Sequence, residues 1–97
     1  MADLPTATLF RLHESSVFEV VGSEAPALQL VEVRMLGHQP QAPQPDPFVL
    51  TFTGAADLPL GQGIHRLSHP ALGELEIFLV PIGYDLAGRP QYEAVFN

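Results

Sequence analysis

The sequence predicts an all-β fold, a small antiparallel barrel or sandwich of roughly six strands preceded by a short N-terminal helical turn. Three observations carry that prediction. Apolar residues recur with a period of two in most segments, which places alternate side chains on one face of a strand. Glycine and proline, 8 and 10 of the 97 residues, gather between those segments, where they break helix and ladder alike. No segment sustains the 3.6-residue period of a long amphipathic helix. Neither an internal repeat nor a second unit is visible, so residues 1–97 are expected to form a single all-β domain.

In chain order, Thr6 to Glu14 suits a helical turn capped by Thr6 or Thr8, with Leu9 and Leu12 on one face at i, i+3. Ser16 to Val21 is the first strand, with Phe18 and Val20 on one side, and Gly22 to Pro26 is a turn. Ala27 to Leu36 is the longest strand candidate. Its parity slips from Leu28 and Leu30 to Val31, Val33 and Met35, which requires two buried faces or a β-bulge near Leu30–Val31; the bulge is favoured, because it bends a strand as a small barrel needs. His38 to Pro47 holds four prolines in ten residues, excluding helix and central strand. It reads as a stiff surface loop or as an extended ligand segment with a PxxP match at Pro40–Pro43.

Phe48, Leu50 and Phe52 alternate with Val49, Thr51 and Thr53 in the next strand. Gly54 to Gly63 is a turn-rich connection, Ile64 to Ser68 a short strand, and His69 to Gly73 a tight turn. Leu75, Ile77 and Leu79 then alternate with Glu74, Glu76 and Phe78. Gly83 to Pro90 joins that strand to a last one, in which Tyr92, Ala94 and Phe96 share parity.

Composition narrows the function classes. Eleven acids face four bases, a net charge of −7, and the bases (Arg11, Arg34, Arg66 and Arg89) are scattered. Phosphate neutralisation needs clustered Lys and Arg, so nucleic acid is not an expected partner, nor is an anionic membrane surface. The absence of cysteine removes disulfides, thiolate nucleophiles, thiolate zinc sites and iron–sulfur clusters. The longest apolar run, Ile77 to Ile82, falls far short of the ~20 residues of a membrane-spanning helix. Met1 to Thr6 does not open a secretory leader. A cytoplasmic location is expected, with export inside a larger assembly left open.

The C-terminal half carries the string Leu72-Gly-Glu-Leu-Glu-Ile-Phe-Leu-Val-Pro81, followed by Tyr92-Glu-Ala-Val-Phe-Asn97. This pattern resembles a family of short bacterial proteins described as a domain of unknown function. The likeness covers residues 48–97 closely and 9–36 loosely. It implies a small stand-alone protein, some of whose relatives are associated with phage-tail-like assemblies, and it supplies no catalytic residue.

Candidate chemistry is sparse. His65 and His69 are four apart and would form half a metal site on a helix, with Glu74 or Glu76 as a further ligand; across a strand end and a turn they read instead as a core-edge and a turn histidine. Glu74 and Glu76 share one strand face, where paired carboxylates could do acid–base work but ordinarily sit solvated. His13, Glu14, Ser15 and Ser16 lie together, yet neighbours in sequence cannot show the convergence that a nucleophile needs, and there is no G-x-S-x-G elbow. No catalytic residue, metal or cofactor is therefore expected.

One strand face breaks the alternation. It changes from acidic (Glu74, Glu76) to apolar (Phe78, Val80, Ile82), so its second half is covered either by the domain itself or by another molecule. A small domain has little material to cover two faces of a sheet. A terminal strand closing on Phe96 offers open backbone groups if it lies at an edge. Phe78, Val80, Ile82 and Phe96 are thus the candidate interface of a non-enzymatic structural or protein-interaction module, self-associating or docking on a larger, phage-tail-like assembly. The alternative is a small-ligand-binding barrel or minor enzyme with His65, Arg66, His69 and Tyr84 at its mouth.

Overall fold

The computed structural model describes residues 6–22, 27–37, 47–56 and 59–96. It contains one short helix, α1 (Ala7–Arg11), and six strands: β1 (Val17–Val20), β2 (Ala27–Met35), β3 (Phe48–Thr53), β4 (Gly63–His69), β5 (Gly73–Tyr84) and β6 (Pro90–Phe96). All neighbouring strands pair antiparallel, and the order β1-β2-β3-β6-β5-β4 closes into a barrel. The longest strand is β5, with 12 residues, rather than β2, with 9. Most of the loop expected at 38–47 lies outside the described residues, so neither of its two readings meets a structure here.

The period of two fixes the interior. Phe18, Leu28, Leu30, Leu50, Phe52, Leu67, Ile77, Leu79, Tyr92 and Ala94 are all at most 2% exposed, and they fill the barrel as interlocking side chains. The parity slip in β2 is resolved by a register shift against β3 between Leu30 and Glu32. The extra residue bends the strand and returns Val33 to the inside while Val31 turns outward. A second shift, between Pro81 and Gly83, lets β5 separate from the barrel wall and continue as a hairpin with β6.

Both turns that flank β5 have a chemical cause. Gly73 (φ 76°) ends the tight link from β4, and Gly88 (φ 80°) occupies the left-handed position of the β5–β6 hairpin. In that hairpin the Gly88 N–H donates to the Asp85 carbonyl (3.0 Å) and the Asp85 N–H to the Arg89 carbonyl (2.9 Å). The Asp85 carboxylate accepts from the N–H groups of Arg89 and Ala87, both 2.9 Å, and from Arg89 Nε at 3.0 Å. These bonds, the Arg89 N–H foremost, hold its carboxyl below the ordinary carboxylate range.

Each end of the barrel is stopped. Thr6 caps α1 by accepting the Leu9 N–H on its hydroxyl (3.4 Å). The helix does not bury Leu9 and Leu12 as its i, i+3 spacing suggested; they are 43% and 72% exposed, and Phe10 at 0% is the residue driven inward. Five helical residues present one side chain deeply, and the largest ring takes that place. Phe10 meets Phe18, Phe48 and Phe96 at centroid distances of 6.5, 6.0 and 5.6 Å, and Phe48 stacks on Phe96 at 4.7 Å. At the opposite end Leu60 is buried, and its N–H donates to the Tyr92 hydroxyl at 2.7 Å.

Candidate functional site

Three groups of residues bear on function: the outer face of β4–β5, the free side of β5, and a histidine cluster at the α1 end.

The His69–Gly73 turn sets the outer face. Its register runs His69↔Gly73 through Ile64↔Phe78 to Gly63↔Leu79, where β4 begins. Ile64 and Phe78 are therefore cross-strand neighbours on the outside, and they are 69% and 51% exposed. Ile82, 47% exposed, and the half-buried Val80 continue the apolar surface toward the hairpin; Tyr84, 70% exposed, lies beyond the register shift opposite Pro90 and so belongs to the other face. Isolated exposed apolar side chains are ordinary, but a contiguous set is not. Of the three residues Phe78, Val80 and Ile82, the described residues cover Val80 in part and leave Phe78 and Ile82 open.

Charge is distributed to suit this face. Three of the four arginines neutralise carboxylates around it: Arg66–Glu76 at 3.8 Å, Arg34–Glu93 at 3.8 Å and Arg89–Asp85 at 3.0 Å. Such exposed pairs contribute little stability, at most about 1 kcal/mol each. Their consequence is local: Glu76, Glu93 and Asp85 each have an arginine beside them where they border the apolar surface.

Phe96 lies elsewhere. It shares inward parity with Tyr92 and Ala94, and its ring is partly buried against Phe10 and Phe48. Nor is β6 an edge, since β3 pairs with one side of it and β5 with the other. The open side belongs to β5. Beyond Leu79 no described strand pairs with its β4-facing side. The Pro90 carbonyl accepts from Gly54 N–H on the β3 side, so Glu93 points its backbone groups at β5, where Val80 is its partner. Pro81 consequently faces the open side, and it has no N–H to offer. We expect Pro81→Val to restore a donor there and promote edge-to-edge association, seen as a concentration-dependent rise in particle mass by light scattering. An unchanged mass would show that this side is blocked by something other than proline.

The histidines do not form the expected constellations. His65 and His69 share the inward side of β4, but Leu67 stands between them, and four residues of strand separate them by about 13 Å. His65 Nε2 lies 2.7 Å from the Gly61 carbonyl, to which it donates. Arg66 is on the outer face with Glu76, and Tyr84 is on the hairpin. The structure therefore brings none of His65, Arg66, His69 and Tyr84 together at a mouth. Alternation alone separates Arg66 from the histidines, and the end-to-end length of the barrel separates His69 from Tyr84.

His69 instead joins Ser16. Its Nδ1 accepts the Ala71 N–H at 3.0 Å, its Nε2 lies 3.0 Å from Ser16 Oγ, and the Ser16 hydroxyl donates to the His13 carbonyl. The proton of the neutral ring must then sit on Nε2 and be donated to Ser16. A nucleophilic serine needs the opposite polarity, with Nε2 accepting its proton and Nδ1–H held by an acid. The cluster is a satisfied structural network. Its pairing across the barrel, between residues far apart in the chain, had no local signal, whereas Ile64 could have been found by counting back from the His69–Gly73 turn.

Among the described residues no helix is long and apolar enough to cross a membrane, and no three metal-ligating side chains gather. Residues 5–96 match the model of a domain of unknown function, DUF6916. No curated protein and no solved structure matches the chain.

Proposed function

The chain belongs to the DUF6916 family, a domain of unknown function, and from that premise we propose that it is a non-catalytic protein-interaction module that associates with a second copy of itself through the outer face of β4–β5. The observation that carries this reading is the apolar run Ile64, Phe78, Val80 and Ile82 on the outer face, left uncovered at Ile64, Phe78 and Ile82. Large aromatic and aliphatic side chains at the centre of such a patch supply most of the binding energy when two proteins meet. Two copies of a strongly acidic chain repel each other wherever their carboxylates are unmatched. The arginine pairs that border this face lower the electrostatic cost of bringing two copies together there. Docking on a larger, phage-tail-like assembly is the other form of the same reading and would use the same residues.

Sedimentation equilibrium over a range of concentrations tests it. The wild-type chain is expected to be a reversible dimer. Phe78→Ser is expected to shift the population to monomer, weakening association by about 2 kcal/mol or more as for a central aromatic anchor. Because Phe78 is half exposed, the same change should move the fold's own stability by only ~0.5–1 kcal/mol. A chain that stays monomeric at hundreds of micromolar, or a Phe78→Ser variant that dimerises as well as wild type, overturns self-association through this face.

A further inference from the structure

The segment that stops the α1 end is held by the buried Phe10 ring and by backbone bonds between Leu30 and the Ser15–Ser16 pair, and one further tie, through His69, is titratable. His69 is 6% exposed at the end of β4. Its ring packs on Phe18 at a centroid distance of 4.6 Å and meets the His13 ring edge-on at 4.7 Å. Ser16 holds Nε2 and the Ala71 N–H holds Nδ1. Ser15, directly before Ser16, has φ 71°, a backbone conformation that a non-glycine residue keeps only when its surroundings enforce it. Its N–H is held by the Leu30 carbonyl at 2.7 Å.

We propose that His69 is an acid-weakened latch, which helps keep α1 and the turn after it seated over the barrel end while its ring is neutral and loosens them when Nδ1 takes up a proton. The chemistry is direct. The Nδ1 lone pair is in use as acceptor for the Ala71 N–H, so the incoming proton displaces that bond. The resulting imidazolium is enclosed by Phe18, the His13 ring and the 12–16 turn, and a buried cation must be hydrated or paired. Among the described residues His13 is the only titratable side chain facing the ring. Glu19 on β1 and Glu74 on β5 both pair with Ser68 and share its outer face. Glu14 and Arg11 are exposed on the turn and the helix. Gly73, the β5 partner, has no side chain. Among the described residues no carboxylate is in place to receive the charge, so water must reach it, and the segment bearing His13 and Phe10 is what stands in the way.

The sign follows from the environment. Burial first, and the charge of His13 second, lower the pKa of His69 in the closed state. The open state binds the proton nearer the ordinary imidazole value of about 6.5. The closed state therefore has its full advantage above that pH and loses it as pH falls toward the lowered value, by up to about tenfold in the opening equilibrium per pH unit. Opening uncovers Phe10, Phe18, Phe48 and Phe96, an apolar surface that is sealed at neutral pH.

Amide hydrogen exchange on the full chain at pH 7.5 and 5.5, corrected for intrinsic rates, reads this directly. Protection at Phe10, Leu12, Ser15 and Ser16 should fall relative to Ile77 and Leu79 across that interval, by at most about tenfold for one proton. In His69→Gln the pH dependence should vanish. If that variant does not fold, imidazole resonances of the wild-type chain replace it, and His69 should titrate in step with loss of Phe10 protection. The proposal is overturned if the protection ratio does not change with pH. It is equally overturned if His69→Gln retains the pH dependence, or if His69 titrates while Phe10 stays protected.

Discussion

Phe10→Ala is expected to destabilise the barrel by about 3–5 kcal/mol, the range for removing a fully buried aromatic ring. Phe10 is 0% exposed and lies against three other phenylalanines, so no neighbour can swing into the space without leaving its own place. Stability of a domain this size is only about 5–15 kcal/mol in total, and each kcal/mol lost lowers the melting temperature by roughly 4–8 °C. Thermal unfolding followed by circular dichroism measures the shift. Leu12→Ala, two residues on and 72% exposed, is the matched control and should change stability by no more than about 0.5 kcal/mol. A Phe10→Ala variant that melts with the wild type would mean that α1 is not part of the cooperative unit.

Tyr92→Ala should be at least as severe. The ring fills the far end of the interior at 1% exposure, and its loss alone costs about 3–5 kcal/mol. In addition the buried N–H of Leu60 loses its acceptor, and an unpaired buried donor costs about 1–3 kcal/mol more. Tyr92→Phe separates the two effects, because it keeps the ring and removes only the hydroxyl; it should cost about 1–3 kcal/mol in urea denaturation. If Tyr92→Phe proves neutral, the segment carrying Leu60 is not held by that bond.

Alternation told most of what the barrel is. Residues at one parity of the β3, β5 and β6 segments became its lining, and the slip at Leu30–Val31 became the register shift that curves β2. Each of these follows from local geometry, since one residue of offset exchanges the two faces of a strand. Where local rules failed, a long-range partner had decided the outcome. Leu9 and Leu12 satisfied helical spacing, but the aromatic ring of Phe10 had an interior of other rings to join. His69 looked like a turn residue, but Phe18 and Ser16 came to it from the other half of the chain. At the candidate interface Phe78, Val80 and Ile82 were legible from parity alone. Phe96 was not separable from them without knowing that β6 has a neighbour on each side.

Closure of the barrel rests on its smallest pairing. Two residue pairs, Glu19↔Ser68 and Val20↔Leu67, join β1 to β4, against seven between β4 and β5. The β4–β5 and β5–β6 hairpins connect neighbours in sequence and can form early, while the β1–β4 join must wait for the two halves of the chain to meet. During synthesis, which proceeds from the N-terminus, α1 and β1 leave the ribosome well before β4 exists. Phe10 and Phe18, made before β4, are therefore among the last rings of the barrel to be sheltered, and a nascent chain stalled before β4 would carry them bare.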